Sequence, residues 1–467
     1  MIIEFIKSNL PGFIRRWFVR VCAALLFCLS LSADTASVVP YSLSRTRSQW
    51  RSANESDSSS QAVRRDVFVL DLVRKLHGDN AVFNSVSNTI MTTDESSANL
   101  WDAETGKLIL TLDGYKEISQ ANFSSDGRFI ITIGKHKNQK NVVTSIWDAE
   151  TGKLKASLEG YAVFIAGRTL VPESTAITIH DQELRFWDFT TGELKKSVAA
   201  YRKVNSDWRF FLDSVISPDG RFIVAYRGKS VPLWDTNTGG LIADLKPPQA
   251  KQLFYDYRGR SLEIYQAKFA PDGQTIATID SYNRVELWQA TKGRLNSILS
   301  GHLDSIYNIE FSDDGQLIAT ASRDGTARVW DVTTGQLKNT FKAGDQIARR
   351  VRFSPNASIL AVGYHTQARL WDVNTGQLRA ELPEDKDISK TALFGTYLHG
   401  IEVRFSPDGR LLLTMSDKSI RVWEAQTGKF IATLEAARPP VAFSPNGRLL
   451  VTRGSDKGVL LWKVSLR

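Results

Sequence analysis

The sequence contains little cysteine, methionine or histidine, and this scarcity excludes several classes of functional site. Its 467 residues include two Cys, three Met and six His. Both cysteines, Cys22 and Cys28, lie near the amino terminus, so the rest of the chain has no disulfide, thiolate metal ligand or cysteine nucleophile. No two histidines are four residues apart, the spacing that a helical metal site uses. We therefore predict no bound metal and no other cofactor.

Positive charge is also scarce over most of the chain. The formal net charge is +9, but residues 1–65 hold nine Lys or Arg and four Asp or Glu. The five surplus charges in this segment leave only four for the remaining residues. A protein that binds nucleic acid carries a concentrated basic patch. We therefore predict no nucleic-acid partner.

The first 33 residues have the pattern of an export signal. Basic residues, Lys7, Arg15, Arg16 and Arg20, precede the apolar stretch VCAALLFCLSLSA at 21–33. This stretch has the length of a signal-peptide core and is short for a helix that crosses ~30 Å of hydrocarbon. We predict a signal peptide or an uncleaved membrane anchor, and hence a protein exported from a bacterial cell to the periplasm or the exterior.

The export route and the fate of the signal stay open at this point. Arg15, Arg16 and Phe18 resemble a twin-arginine signal, but Ile14 replaces the usual Ser or Thr, so a general signal or an uncleaved anchor is favoured. Contact with a membrane is expected only through residues 1–33, if they are uncleaved. Residues 34–65, rich in Ser and Arg, have little apolar periodicity and are predicted to form a disordered linker.

Beyond residue 65 the sequence is dominated by an internal repeat. A Trp closes each unit, and successive Trp residues are 39 to 54 residues apart. Six of these nine Trp residues are followed directly by Asp. The repeat-closing residues are Trp101, Trp147, Trp187, Trp234, Trp288, Trp330, Trp371, Trp423 and Trp462.

Two kinds of turn punctuate each unit, as the segment GHLDSIYNIEFSDDGQLIATASRDGTARVWDVTTGQ at 301–336 shows. A Gly turn such as Asp331–Gly335 follows the Trp, where Gly supplies a positive φ and the Asp and Thr side chains bond nearby backbone N–H groups. A second turn, Ser312–Gly315 here and SPDG in other units, is a strong hairpin signal.

Four short apolar runs lie between these turns, at 305–311, 317–321, 327–330 and 337–341. Their length and alternation predict a four-stranded antiparallel sheet. A lone small sheet has two apolar faces and unpaired edges. Packing several sheets face to face around an axis covers both faces, which explains why the pattern repeats.

The repeated Gly-His, S-P-D-G, W-D and T-G elements, in this fixed order, resemble those of the WD40-repeat β-propeller family over residues 66–467. The resemblance implies an all-β fold, a single closed propeller of four-stranded antiparallel blades. In that family a His, a Ser or Thr, an Asp and the Trp form a buried tetrad within a blade. The quoted unit has all four, namely His302, Thr320, Asp324 and Trp330.

His302 and Asp324 are both members of the tetrad, so we interpret this pair as structural rather than as a catalytic dyad. In four other units the Asp is replaced, by Glu95, Gly228, Tyr282 or His365. We expect most blades, lacking a complete tetrad, to depend on apolar packing alone.

Counting the units predicts nine blades, and eight if the weak unit at 153–187 does not form a blade. The last unit ends five residues after Trp462 and lacks an outer strand. The segment Val67–Leu76 has the composition of such a strand, so we predict that it pairs beside Val459–Trp462 and closes the ring.

The long connections all fall on one predicted face, at 135–141, 199–208, 246–261 and 383–400. Insertions confined to one face of a repeat protein often mark its binding face. These connections carry aromatic residues and arginine, which are enriched in interface hot spots. The predicted partner-binding residues are Trp208, Tyr255, Tyr257, Arg258, Phe394 and Tyr397.

These features favour a non-catalytic scaffold, monomeric, that binds a protein or peptide partner. The alternative is a propeller enzyme or a small-ligand-binding protein with a site at the central axis. The sequence has no G-x-S-x-G nucleophile motif, no clustered His and Cys and no D-x-D-x-D-G calcium loop. We therefore predict that the protein is not an enzyme.

Overall fold

Each sequence repeat forms one small antiparallel sheet. The computed structural model describes residues 68–466 apart from 138, 140, 163–169, 172–174, 181–182, 200–213, 227–230, 249–263, 343–345, 366, 384–400, 417–418, 435 and 455–457. The predicted signal at 1–33 and linker at 34–65 lie outside these residues. No helix in the described ranges has the length and apolar character needed to span a membrane.

The strands, numbered in chain order, assemble into nine sheets within the described residues, which we call blades 1 to 9. Blade 1 contains β2 (Asn80–Phe83), β3 (Thr89–Thr93), β4 (Ala98–Asp102) and β5 (Leu108–Leu112). Blade 2 contains β6 (Tyr115–Phe123), β7 (Phe129–His136), β8 (Val143–Asp148) and β9 (Leu154–Glu159). Blade 3 contains β10 (Tyr161–Ala162), β11 (Leu170–Val171), β12 (Thr175–His180), β13 (Glu183–Asp188) and β14 (Glu193–Ala199).

Blade 4 contains β15 (Ser214–Ile216), β16 (Phe222–Ala225), β17 (Val231–Asp235) and β18 (Leu241–Leu245). Blade 5 contains β19 (Ile264–Phe269), β20 (Thr275–Asp280), β21 (Val285–Gln289) and β22 (Arg294–Leu299). Blade 6 contains β23 (Ile306–Phe311), β24 (Leu317–Ser322), β25 (Thr326–Asp331) and β26 (Leu337–Lys342).

Blade 7 contains β27 (Arg350–Phe353), β28 (Ile359–Gly363), β29 (Ala368–Asp372) and β30 (Leu378–Leu382). Blade 8 contains β31 (Glu402–Phe405), β32 (Leu411–Met415), β33 (Ile420–Glu424) and β34 (Phe430–Leu434). Blade 9 contains β35 (Ala437–Phe443), β36 (Leu449–Gly454) and β37 (Val459–Leu466), with β1 (Phe68–Leu76) as its fourth strand. The nine-blade count is confirmed, because the weak third unit forms its own sheet. In that blade β10 and β11 both pair with β12.

Blade 6 illustrates why these residues form a blade. The second strand, β24, is almost entirely buried because neighbouring blades cover both of its faces. The fourth strand, β26, is mostly exposed, and only Phe341 along it is buried. The hairpin between β23 and β24 is closed by the Gly315 N–H, which bonds the Ser312 carbonyl at 2.8 Å, while the Ser312 hydroxyl accepts the Leu317 N–H at 3.0 Å.

An irregularity in strand pairing recurs directly before the repeat-closing Trp. In blades 1 to 8, the pairing register between the third and fourth strands shifts between the closing Trp and the residue that precedes it. In blade 9, Trp462 pairs with Leu72 and the shift falls between Leu72 and Arg74. The terminal strand therefore reproduces the bulge that the other blades make within one unit.

Strand β1 closes the ring, as predicted. It pairs antiparallel with β37 from Phe68 opposite Leu466 to Leu76 opposite Val459. The amino-terminal strand of the described chain thus completes the carboxy-terminal blade.

Apolar clusters occupy all nine junctions between successive blades. Between blades 6 and 7, Val329 and Phe341 pack with Val351 and Leu360. Between blades 9 and 1, Leu461 packs with Ile90. Each fully buried Val, Leu, Ile or Phe side chain contributes about 1.5–3 kcal/mol. The core is therefore a circle of inter-blade layers, and the last junction makes the propeller a closed ring.

The first strand of each blade lies on the inner side of the ring. These strands contact their counterparts in neighbouring blades, as β23 does with β27 and β27 with β31. The inner strands therefore surround the axis, while the fourth strands form the circumference.

Candidate functional site

The four tetrad residues of blade 6 form one hydrogen-bonded chain. The Trp330 Nε1–H donates to Thr320 Oγ1 at 3.1 Å. His302 Nε2 lies 2.6 Å from the same hydroxyl, and His302 Nδ1 lies 2.8 Å from Asp324 Oδ2. The chain ties the segment before β23 to the second and third strands of the same blade.

The donors and acceptors assign the hydrogen positions in this chain. The Asp324 carboxylate can only accept, so His302 Nδ1–H donates to it. In that tautomer Nε2 accepts the Thr320 hydroxyl, whose oxygen in turn accepts the Trp330 indole hydrogen. Burial would raise the pKa of Asp324, but hydrogen bonds from His302, Thr326 and the Leu303 N–H outweigh it and hold the pKa well below its usual range. Asp324 is therefore ionised in the folded protein.

The burial of the tetrad argues against a catalytic role. The His302 side chain is 1% exposed, and the Thr320 side chain is fully buried. Although Thr, His and Asp are also the residue types of a nucleophilic triad, the Thr320 oxygen is already engaged by Trp330 and cannot be reached by a substrate. The geometry is that of a structural link between strands.

Part of this link recurs in seven blades, so the expectation that most blades depend on apolar packing alone is wrong. In each, the indole N–H of the closing Trp donates to a Thr hydroxyl of the second strand. The pairs are Trp101 with Thr92, Trp147 with Thr132, Trp187 with Thr178, Trp288 with Thr278, Trp330 with Thr320, Trp423 with Thr414 and Trp462 with Thr452. In the other two blades Ala225 and Val362 lie at that register position.

In blade 2 a tyrosine takes the place of the tetrad histidine, which the sequence analysis missed. The Tyr115 hydroxyl lies 2.5 Å from Thr132 Oγ1 and accepts the Trp147 indole N–H at 3.2 Å. Burial raises the pKa of Tyr115. The available signal was spacing, because Tyr115 lies 17 residues before Thr132 and His302 lies 18 before Thr320.

Blade 5 contains a buried acidic pair in the tetrad region. The Thr278 hydroxyl donates to Glu286 Oε2 at 2.8 Å, and Arg284 Nη2 lies 2.5 Å from Asp280 Oδ2. Both carboxyl groups are fully buried. Burial, together with the nearby Asp280 carboxylate, raises the pKa of Glu286 to about 9. The buried pair therefore favours the protonated form of Glu286.

Blade 1 departs from the tetrad differently. His77 Nε2 lies 3.1 Å from Asp94 Oδ2, but the His77 side chain is 73% exposed. Only the His77 backbone carbonyl joins the buried chain, where it accepts the Thr92 hydroxyl at 2.5 Å. His77 therefore contacts Asp94, and not the neighbouring Glu95, which occupies the position that the sequence aligned with the tetrad Asp.

The Asp that follows the Trp caps the next turn, as the sequence predicted. In blade 6, Asp331 Oδ1 accepts the Thr334 N–H at 2.9 Å and its hydroxyl at 3.0 Å. Gly335, at φ 69°, donates its N–H to the Asp331 carbonyl at 2.9 Å. The same cap forms in blade 7, where bonds from Thr375 and Arg379 lower the pKa of Asp372 to about 2. The W-D motif is therefore a turn-forming element.

The six predicted partner-binding residues, Trp208, Tyr255, Tyr257, Arg258, Phe394 and Tyr397, lie outside the described residues. The strands that flank them are described. Blade 3 ends at Ala199 and blade 4 begins at Ser214, and the same inter-blade connection follows Leu245 and Leu382. In an antiparallel blade, connections from a fourth strand to the next first strand leave the same end of the sheet.

Metal coordination finds no support in the described ranges, where no three or more His, Cys, Asp or Glu side chains are grouped to hold an ion.

Comparisons with known proteins identify the repeat. The model of the family described as "WD domain, G-beta repeat" matches residues 293–331, 396–424 and 428–463. The chain is 26% identical over 127 residues to the anaphase-promoting complex subunit cdh1 of Dictyostelium discoideum, a match that covers 27% of this chain and 15% of that protein. It is 22% identical over 227 residues to the serine-threonine kinase receptor-associated protein of Gallus gallus, covering 42% of this chain and 62% of that protein.

Solved structures show the same fold. The crystal structure of the C-terminal WD40 domain of Sif2 has a TM-score of 0.51 at 15% identity, covering 85% of this chain and 99% of that one. The computationally designed Ika8 protein has a TM-score of 0.50 at 18% identity, covering 84% and 97%. Each match to a curated relative spans less than two thirds of that relative. The three matched segments are WD40 repeats, and the nine blades show that the chain folds as a β-propeller like the solved WD40 structures.

Proposed function

We propose that this protein is a non-enzymatic scaffold that binds a protein or peptide partner on the face formed by its long connections, at 135–141, 199–208, 246–261 and 383–400. Two curated relatives support this proposal through their names, one a subunit of a complex and the other a receptor-associated protein. The proposed ligand is a partner surface rather than a substrate, since the tetrad carries no accessible nucleophile.

The difference between the two ends of the blades is the observation that carries this proposal. At one end, the turns are short and stereotyped, and their polar side chains are engaged in capping, as Asp331 and Ser312 are. At the other end, the connections after β14, β18 and β30 are long and together carry Trp208, Tyr255, Tyr257, Arg258 and Tyr397. Such residues contribute most to interface hot spots.

The test is a triple substitution, Tyr255→Ala, Tyr257→Ala and Arg258→Ala, in the full chain. Proteins captured by the wild type from its own cell would be identified, and the affinity of a purified partner would then be measured for both proteins. We expect the variant to lose at least about tenfold in affinity, since each anchor contributes about 2 kcal/mol, with an unchanged melting temperature.

The control triple is Gln274→Ala, Gln316→Ala and Arg410→Ala on the opposite face. These side chains are exposed, and the substitutions remove the same single positive charge. The aspartates of the SPDG turns are unsuitable as controls, because Asp219 and Asp408 accept bonds from Ser217 and Ser406 within their turns. If the control alone abolishes binding by a folded protein, the partner binds the opposite face.

The second candidate function is an enzyme or small-ligand-binding protein with a site on the axis. The inner strands of blades 5 to 8 carry Lys268, Glu310, Arg352 and Arg404, which favours binding of a charged small ligand there. Turnover of a small molecule without a stable protein partner would support this candidate.

We also propose that residues 1–33 direct export to the periplasm or the exterior, and that the mature protein is monomeric. The support is the basic stretch that precedes the apolar core in the sequence. Sequencing the amino terminus of the protein isolated from its cell tests export. A cytosolic protein that retains Met1 and is not bound to membrane would contradict it.

A further inference from the structure

In blades 5 to 8, one position on the inner strand carries a charged side chain. It directly precedes the Phe that ends the strand in four successive blades. In blades 5 to 8 this position is occupied by Lys268, Glu310, Arg352 and Arg404. In the other described inner strands, its counterparts are uncharged, as Val82, Asn122, Val215 and Ala442 show.

Cations outnumber carboxylates at this level. Lys268 Nζ lies 2.5 Å from Glu310 Oε2, and Arg352 Nη1 donates to that same oxygen. A single carboxylate therefore serves two cations. Arg404 directs Nη1 to the Val441 carbonyl at 2.5 Å, and its Nη2 is 3.8 Å from Glu402 Oε1.

The next level along the strands does not remove this surplus. Two residues before Arg352 and Arg404 lie Arg350 and Glu402, one cation and one carboxylate. Over the two levels, four cations face two carboxylates among the described inner strands of blades 5 to 8, so the wall keeps a net charge of +2.

These cations are partly withdrawn from water but still accessible. Burial and the charge of Arg352 lower the pKa of Arg404, although Glu402 opposes the shift. Burial also lowers the pKa of Arg350. The side chains of Lys268 and Arg352 are each 34% exposed, and that of Arg404 is 41% exposed. A concentrated, incompletely hydrated positive charge attracts anions more strongly than the same charge on an open surface.

We propose that the axial wall of blades 5 to 8 binds a soluble small molecule bearing two or more phosphate groups, held by Lys268, Arg352 and Arg404. The planar guanidinium fork matches phosphate oxygens, and two such forks on adjacent strands select an anion with more than one charged group. The residues lie on inner strands rather than on the turns at the rim, which favours a soluble ligand over a headgroup in a flat membrane. This site does not depend on the proposed scaffold function.

Titration calorimetry of the full chain with sodium tripolyphosphate, in about 0.15 M NaCl, tests this site. We expect saturable binding with one anion per chain. The double variant Arg352→Gln with Arg404→Gln should bind at least about tenfold more weakly, because it loses two charge-assisted contacts. The single variant Glu310→Gln should bind more tightly, since it removes the competing carboxylate and keeps every cation.

The matched control is Arg294→Gln with Lys429→Gln, which removes the same charge from exposed positions at the circumference. It should bind tripolyphosphate like the wild type. Absence of saturable binding to the wild type, an equal loss in the control, or weaker binding by Glu310→Gln would each overturn the proposal. If the double arginine variant does not fold, the Glu310→Gln result decides between the outcomes.

Discussion

A single hydroxyl at the centre of the blade satisfies the buried Trp N–H in most of this propeller. An indole N–H inside a core needs an acceptor, and Thr supplies one while its branched side chain suits a strand. The His302–Asp324 pair extends this link in blade 6, and Tyr115 extends it in blade 2. The Trp–Thr bond is thus the common element, and the full tetrad is one of several ways to complete it.

Replacing His302 by Ala is expected to lower the free energy of unfolding by about 1–3 kcal/mol, because Asp324 and Thr320 both lose a buried partner. Denaturant unfolding followed by tryptophan fluorescence measures this loss. The matched control is His77→Ala, which removes an exposed imidazole that is also paired with an aspartate. Equal midpoints for His302→Ala and the wild type would contradict the structural role.

Replacing Glu286 by Gln is expected to change how stability depends on pH. Burial and the Asp280 carboxylate raise the pKa of Glu286 to about 9, whereas an unfolded Glu titrates near about 4.3. Between these values the folded chain binds a proton that the unfolded chain releases, so the Glu286 contribution to stability falls as pH rises. Gln resembles the protonated carboxyl group and does not titrate.

The Glu286→Gln variant should therefore gain stability relative to the wild type as pH rises from about 5 to about 8. Unfolding curves for both proteins across this range provide the measurement. Parallel pH profiles would show that Glu286 does not bind this proton.

At the scale of elements, β1 is the strand on which closure of the ring depends. It supplies the fourth strand of blade 9, and Leu76 at its end is buried in the cluster between blades 9 and 1. Without it, β37 would present a long unpaired edge. Pairing the two ends of the described chain therefore protects both an edge and a junction.

Removing β1, in a chain that begins at Asp79, is expected to cause aggregation and a lower melting temperature, because the edge of β37 becomes available to other chains. Size-exclusion chromatography and thermal unfolding measure both effects. A chain that begins at Asp66 is the control, since it lacks the same amino-terminal segment but keeps β1. If the shorter chain stays monomeric with an unchanged melting temperature, the pairing with β37 is dispensable.

At the scale of the whole molecule, stability is distributed over nine similar junctions rather than concentrated in one core. Each blade contributes to two apolar clusters, one on either side. The ring therefore couples every blade to its neighbours without a break. Damage at one junction is expected to affect the whole ring.

Replacing Phe341 by Ala should lower the free energy of unfolding by about 3–5 kcal/mol, because its side chain is fully buried between blades 6 and 7. We expect the whole transition to move without a second step. The control is Leu337→Ala on the same outer strand, where the side chain is 45% exposed and the loss should be smaller. A separate early transition in Phe341→Ala would show that the blades unfold independently.

Local chemistry determined most of the architecture. Strand positions, the Ser312–Gly315 and Asp331–Gly335 turns and the membership of the blade 6 tetrad follow from residues close together in sequence or from the repeat pattern, so all could be read from it. The nine-blade count and the pairing of β1 with β37 were also predictable, because a unit without its last strand leaves an edge that another segment must cover.

Only the tertiary structure decided which side chains meet across units. Successive inner strands carry Lys268, Glu310 and Arg352 at intervals of 42 residues, and both cations bond the same Glu310 oxygen. They meet because the closed ring places corresponding positions of neighbouring inner strands side by side. Within a single blade, the partnership of Glu286 with Asp280 also depends on the tertiary structure, because burial changes the energy of a polar group and is not written in its local sequence. The partner-binding residues remain a prediction of the sequence, since an interface depends on how long connections come together at one end of the ring rather than on any one of them.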